Sequence, residues 1–164
     1  MILIGIGSNL PSTAFGPPSA NVEAALAALP AVGACVAARS SWYCSEPVPR
    51  SEQPWFINGV AALLTELEPT ALLAQLLAVE DRFGRLRGEP NAARVLDLDL
   101  LDYNSLVLKT RALALPHPRL HRRRFVLLPL TELAPAWRHP LLHETAEQLL
   151  ARLPAGESVY PLCG

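Results

Sequence analysis

Residues 94–103, RVLDLDLLDY, constrain the fold more than any other stretch of the chain. Val95, Leu96, Leu98, Leu100 and Leu101 describe a strand running into an apolar core, closed by an Asn104-Ser105 turn. Asp97 and Asp99 interrupt that run, and an unpaired carboxylate against an apolar wall is costly. Strand side chains two apart share a face, with Cβ atoms roughly 6.5 Å apart. Two carboxylates so placed can converge on one metal ion or a close pair of ions. Mg²⁺ is the natural choice, because it takes carboxylate oxygen and completes its shell from phosphates and water. The competing reading is a half-exposed strand whose aspartates face water. Leu96, Leu98 and Leu100 commit one face to the core, while Val95, Leu101 and Tyr103 are expected to make the aspartate face partly apolar. On local grounds the two readings stand level.

Around this strand the chain reads as alternating elements. ILIGIG (2–7) is a short buried strand ending in the GSN turn signal, and a loop then leads to a helix over 20–29 stopped by Pro30. ACVAARSSWYC (34–44) reads as one second strand, and the three prolines of PVPRSEQP forbid regular structure after it. WFINGVAALLTEL is a third strand. Pro69 then opens a helix with Leu72, Leu73, Leu76, Leu77, Val79 and Phe83 at helical spacing, ending at Gly84. After the fourth strand, LVL is expected to return as a hairpin arm. A short helix over 125–133 and a last helix from Thr145, with Gln148 at capping-box spacing, complete the chain. The order strand–helix–strand–strand–helix–strand describes an α+β, ferredoxin-like sandwich, an antiparallel sheet with helices and C-terminal additions. With 164 residues and no linker long enough to divide it, one domain spanning 1–164 is expected.

Composition excludes some partners. A net charge of −1 supplies no global field toward nucleic acid or an acidic membrane, so any anion must be met by a local basic patch. No run approaches 18 uninterrupted apolar residues, and MILIGIGSNL has no charged leader. Cys35, Cys44 and Cys163 are odd in number and lack metal-ligand spacing, which fits a reduced, cytoplasmic setting. A monomer is expected. The chain has no GxxxxGK[ST], GxSxG or HExxH, and GIGSNL lacks the three spaced glycines of a dinucleotide fold.

Three further groups bear on chemistry. Arg85, Arg87 and Arg94 precede the aspartates and can grip phosphate oxygens bidentately, although arginine-rich usage also permits a merely solvated loop. PHPRLHRRRF (116–125) holds His117 between two prolines and sets Arg122, Arg123 and Arg124 beside Phe125. That pattern suits an anion site or a nucleic-acid patch, with the neutral overall charge against the latter. In WFIN, Trp55 or Phe56 can stack on a planar ligand, and Asn58, on the face of Phe56, offers a donor and an acceptor to a heterocycle edge.

GIGSNL, the FIN of WFIN, EDRFGRLRGE, ARVLDLDLL and LPHPRLHRRRFVLLPLTELAP occur in this order and at matching spacings. Together they make the chain, from residue 2 to about 137, resemble the 6-hydroxymethyl-7,8-dihydropterin pyrophosphokinase family of folate biosynthesis. The resemblance implies a ferredoxin-like α+β fold and transfer of pyrophosphate from ATP to the pterin hydroxymethyl group, with release of AMP. Carried onto this sequence, it makes Asp97 and Asp99 ligands of two Mg²⁺ ions and Arg85 and Arg94 catalytic arginines. Arg87, His117 and Arg123 match positions around the ATP phosphates. Glu80, matching an acidic residue at a helix end near the metals, is grouped with them. Phe56 and Phe125 would sandwich the pterin, Asn58 would bond its edge, and Ser45 and Val48 match loop positions touching it.

Departures are visible too. Asn91, in a shortened GEPNAAR, stands where many members carry tryptophan, Glu46-Pro47 replaces Pro-Pro, and Gly88 and Ala112 replace basic residues of some members. Another Mg²⁺-dependent nucleotidyl- or phosphotransferase using the same aspartates, or a non-enzymatic ferredoxin-like ligand-binding module, remain the alternatives.

Overall fold

The computed structural model describes residues 1–85, 88 and 90–162. β1 (Ile2–Ser8) lies at the centre of a six-stranded antiparallel sheet, flanked by β4 (Phe56–Thr65) and β5 (Asp97–Tyr103). β2 (Ala34–Arg39) and β3 (Tyr43–Ser45) share the far side of β4, and β8 (Val159–Pro161) extends the sheet beyond β3. Sheet order and connectivity are those of the expected ferredoxin-like sandwich. The alternation of β1 decides what covers each face. Ile2, Ile4 and Ile6 meet α1 (Pro18–Ala28) and α2 (Pro69–Arg82) in one core, with Leu26, Leu72, Leu76, Leu98 and Leu100. Leu3 faces the opposite core, built with Leu101, Leu127 and Leu130 by α3 (Arg124–Leu133) and α4 (Ala146–Arg152). The C-terminal additions therefore turn a two-layer sandwich into three layers. Thr145 and Gln148 close the expected capping box on α4.

The structure corrects several expectations. Residues 34–44 form two strands, because the chain leaves the sheet at 40–42 to lay the Trp42 ring over Gly59. A Cβ on Gly59 would lie 2.6 Å from that ring. The first helix begins earlier than expected, at Pro18, and its α-helical part stops at Ala28, just ahead of Pro30, which sits in the opening turn of a 3-10 segment, Leu29–Val32, where a missing N–H costs nothing. The fourth strand begins at Asp97, since Arg94 and Val95 are taken up by the loop after β1: Asn9 and Leu10 donate backbone N–H groups to the Arg94 carbonyl at 3.0 and 3.1 Å, and the Ser8 hydroxyl donates to the Val95 carbonyl. The β1–β5 register shifts between Leu3 and Ile4, so Ile4 pairs with Leu100 and Leu3 with Asp102. Leu101 keeps the aspartate face and enters the second core, as alternation requires, whereas the bulge returns Tyr103 to the first core, away from that face. Residues 108–109 (β6, Leu108–Lys109) pair not with β5 but with β7 (Ala114–Leu115). β8 had no expectation at all. No helix among the described residues is long and apolar enough to cross a membrane.

Candidate functional site

Strand β5 presents Asp97 and Asp99 on the face opposite Leu98 and Leu100, as period-two geometry requires. Their cross-strand neighbours on β1 are Gly7 and Gly5. With no side chain across from either carboxylate, the sheet surface there stays open, and a cleft of about 340 Å³ lies above it. Ser45, Val48, Phe56, Asn58 and Phe125 line one part of this cleft, and Arg94, Asp97, Asp99, His117 and Arg123 also line it. The expected ring-binding and phosphate-binding groups thus share one space.

The carboxylates are held by cations from three segments. Asp97 Oδ1 meets Arg94 Nη1 at 2.8 Å and Arg85 Nη1 at 3.0 Å. Asp99 Oδ2 accepts from Arg123 Nη1 at 2.9 Å and lies 3.8 Å from His117 Nε2. Burial, and after it the neighbouring Asp99, push the Asp97 carboxyl above its ordinary range despite Arg94 and Arg85. His117 is anchored by its backbone N–H to the Leu101 carbonyl, and its Nδ1 accepts from the Arg119 N–H at 3.1 Å. In the neutral ring the proton therefore sits on Nε2, toward Asp99. Burial lowers the His117 pKa, so the neutral ring is favoured. The Arg123 guanidinium also lies 5.5 Å from the centre of the Phe125 ring, joining the charged and aromatic parts.

The aromatic end is equally constrained. Phe56 and Asn58 share a face of β4, and Asn58 Nδ2 donates to the Ser45 hydroxyl on β3. A Cβ on Gly7 would stand 3.0 Å from Asn58 Oδ1, so glycine at this position is what leaves the amide its place. Trp55, the other stacking candidate, is turned out of the cleft and stacks on Tyr160 with ring centres 6.4 Å apart.

Two assigned arginine and glutamate positions need restating. Glu80 does not line the cleft. It is 1% exposed at the end of α2, beneath β5, where its Oε1 accepts from the Leu98 N–H at 2.7 Å and pairs with Arg85. Its Oε2 is buried with no hydrogen-bond partner among the described residues, and burial pushes its pKa up to about 7. Arg85 sits between Glu80 and Asp97, behind the cleft wall rather than among its lining residues. Arg87 lies outside the described residues, as does Cys163. Among the cleft residues to which the sequence assigns no role are Glu46, Asn91, Arg119, Arg122 and Glu157. The two arginines belong to the PHPRLHRRRF cluster and were legible as a basic patch. Glu157, remote in sequence from every motif, carried no signal.

The sequence profile of the 7,8-dihydro-6-hydroxymethylpterin-pyrophosphokinase (HPPK) family matches residues 3–135. The chain belongs to this family. It is 39% identical over 161 residues to the 2-amino-4-hydroxy-6-hydroxymethyldihydropteridine pyrophosphokinase of Synechocystis, an alignment covering 98% of this chain and 79% of that one. It is 37% identical to the protein of the same name from Methylorubrum extorquens, covering 93% and 94%. The folic acid synthesis protein FOL1 of Dictyostelium discoideum is 39% identical over 121 residues, but only 18% of its length is spanned. The fold matches that of the HPPK-DHPS protein of Plasmodium falciparum with a TM-score of 0.71 at 12% identity, over 92% of this chain and 44% of the other. As a member of the HPPK family, the chain is an enzyme, a diphosphotransferase.

The Mg²⁺ expected from the sequence suits the donors present. Among the described residues no three His, Cys, Asp or Glu side chains come together as a metal-binding group. Two carboxylates in an open cleft match an ion that draws its remaining ligands from substrate phosphates and water.

Proposed function

We propose that residues 1–164 act as one domain that transfers the pyrophosphate of ATP to 6-hydroxymethyl-7,8-dihydropterin in folate biosynthesis. The hydroxymethyl oxygen bonds to the β-phosphorus, and the bond from that phosphorus to the oxygen bridging the α-phosphate breaks. AMP departs with that oxygen, and the hydroxyl proton passes to solvent. The supporting observation is the single cleft in which Phe56, Asn58 and Phe125 stand beside Asp97, Asp99, Arg94 and Arg123. A flat heterocycle fits between aromatic walls with Asn58 at its edge, while Ser45 and Val48 close its far side.

Asp97 and Asp99 would hold two Mg²⁺ ions, which when bound offset the triphosphate charge and acidify the attacking hydroxyl. The chain's own groups align and neutralise. Arg94 and Arg123 already bond the two carboxylates and face the same space, so they can meet phosphate oxygens without leaving the site. His117 offers an Nε2–H toward Asp99 and the phosphates. Arg85, braced by Glu80, fixes the Asp97 carboxylate from behind. Arg87 completes the set of phosphate-facing residues in this reading. The reading includes a cytoplasmic monomer with no nucleic-acid or membrane partner, and the free thiols of Cys35 and Cys44 support a reducing compartment.

The test is direct. Protein incubated with ATP, Mg²⁺ and 6-hydroxymethyl-7,8-dihydropterin should release AMP and the pterin diphosphate, and Asp97→Ala should abolish both. Formation of ADP alone, or turnover indifferent to the pterin, would overturn the assignment.

A further inference from the structure

The two walls of the ring-binding part of the cleft come from distant pieces of chain. One is the segment from Ser45 to Pro49, the other is Phe125 at the start of α3. The elements that carry them touch at one place, where the Tyr43 hydroxyl on β3 donates to Glu132 Oε2 at 2.8 Å towards the far end of α3, but no hydrogen bond among the described residues joins Ser45–Pro49 to the Phe125 end of that helix. Both walls are tied to the C-terminal segment 154–161. On the first wall, β8 pairs with β3, with Val159 opposite Ser45. The contact continues past the strand. Glu46 donates its backbone N–H to the Ser158 carbonyl at 3.2 Å, and Glu46 Oε1 accepts from the Ser158 N–H at 2.9 Å. Arg50 bridges back, meeting Glu46 Oε2 at 3.0 Å and the Gly156 carbonyl at 3.3 Å. On the second wall, Glu157 Oε2 accepts from the Arg124 N–H at 3.2 Å, and Arg124 Nη2 reaches the Pro154 carbonyl at 3.4 Å. Glu157 thereby satisfies an N–H at the beginning of α3, immediately before Phe125, in a helix whose N-cap residue Arg123 makes no side-chain cap bond. Glu46 and Glu157 both line the cleft.

We propose that Glu46 and Glu157 are positioning residues for the pterin, which use segment 154–161 as a strap to set the separation of Phe125 from the 45–49 wall. The proposal rests on the pterin reading above and adds to it two residues to which the family resemblance assigns no role. A ring stacked between Phe125 and Phe56, whose strand partner is Ser45, and closed on its far side by 45–49, gains contact energy only where each surface meets it, because dispersion contacts weaken steeply once a gap of half an ångström opens. Releasing either wall from the strap therefore weakens ring binding. The carboxylates and arginines of the phosphate end are held by contacts outside the strap (Asp97 by Arg85 and Arg94, Asp99 by Arg123), so ATP binding is left alone.

The experiment compares Glu157→Ala, Glu157→Gln, Glu46→Ala and the double alanine variant. Each alanine change should raise KM for 6-hydroxymethyl-7,8-dihydropterin about tenfold, the size expected for loss of a charge-assisted hydrogen bond, with kcat and KM for ATP within twofold of the unaltered protein. Glu157→Gln keeps an oxygen for the Arg124 N–H and should restore KM to within about threefold. Because both residues act through one strap, the double variant should fall short of the product of the single effects. Equal losses in KM for ATP and in kcat would reduce these residues to a general structural role and overturn the proposal. So would failure of Glu157→Gln to recover. Amide exchange gives a readout that needs no turnover: Glu157→Ala should quicken exchange at both 46–50 and 124–126, and quickening confined to 124–126 would sink the strap. Inactivity of the unaltered protein would instead count against the pterin reading itself, and the exchange result would still judge the strap.

Discussion

The most demanding prediction concerns Glu80. A carboxylate that is 1% exposed, with one oxygen lacking a partner among the described residues, costs more to ionise than its Leu98 N–H and Arg85 contacts return. Its pKa is raised from an ordinary 4.5 to about 7. The folded state therefore binds this proton more tightly than the unfolded chain does. The stabilisation is fully present below the unfolded value and is lost as pH rises through the folded one. Integrated between pH 5 and 8, the loss comes to about 2.5 kcal/mol. Glu80→Gln supplies the same oxygen to Leu98 and cannot titrate. Urea unfolding of both proteins at pH 5, 6, 7 and 8, in EDTA so that metal binding does not contribute, should show the stability difference moving in favour of Gln by about that amount across the range. Parallel stability curves would refute the reasoning, because they would mean that Glu80 titrates alike in both states. A functional cost should accompany the gain. Arg85 loses its anionic brace, so turnover with ATP and pterin should fall about tenfold even where the variant is the more stable protein.

Four other outcomes follow from single contacts. Phe125→Ala should raise the pterin KM by about 10- to 100-fold with KM for ATP nearly unchanged, as steady-state kinetics would show. Gly7→Ala presses a methyl group against Asn58 Oδ1 at 3.0 Å and should raise the pterin KM with little change in Tm. Gly59→Ala places a Cβ 2.6 Å from the Trp42 ring and should cost about 1–3 kcal/mol by denaturant unfolding. Trp137→Phe strands the buried Asp102 Oδ2, which now accepts from the indole N–H at 2.7 Å, and should cost a similar 1–3 kcal/mol without altering KM for either substrate.

Much of the fold was legible because its signals are periodic and local. Pro69 with the leucines after it marks α2, which runs Pro69–Arg82, and Thr145 with Gln148 marks α4. The errors arise where tertiary contact overrides local pattern. Nothing in ACVAARSSWYC announces that Trp42 needs a glycine two strand positions from Ala61 to lie against, so a break reads as a continuous strand. The bulge at Leu101 depends on the pairing of β5 with β1 and is invisible in either strand alone. β8 is a three-residue strand ending in proline, and only its partner β3 makes it one.

The site divides along the same line. Asp97, Asp99, Phe56, Asn58, His117, Arg123 and Phe125 were legible as candidates because each lies in a motif visible in the sequence, and the structure brings all seven to one cleft. Their union in one cleft required the sheet, since β4 and β5 meet only across β1. The two glycines opposite the aspartates show what a motif omits: Gly5 and Gly7 matter through absent side chains, whereas the sequence reads Gly5 as one more position of a buried strand and Gly7 as the start of the GSN turn signal. Glu80 shows the converse. Helix spacing places it at the end of α2, but whether it faces ATP or the underside of β5 depends on how α2 packs, and burial decided for the underside. A residue's type and position in sequence can name the chemistry it is able to do. Which group receives that chemistry (a substrate, a metal or the arginine beside it) is settled by packing, and for Glu80 packing selected Arg85.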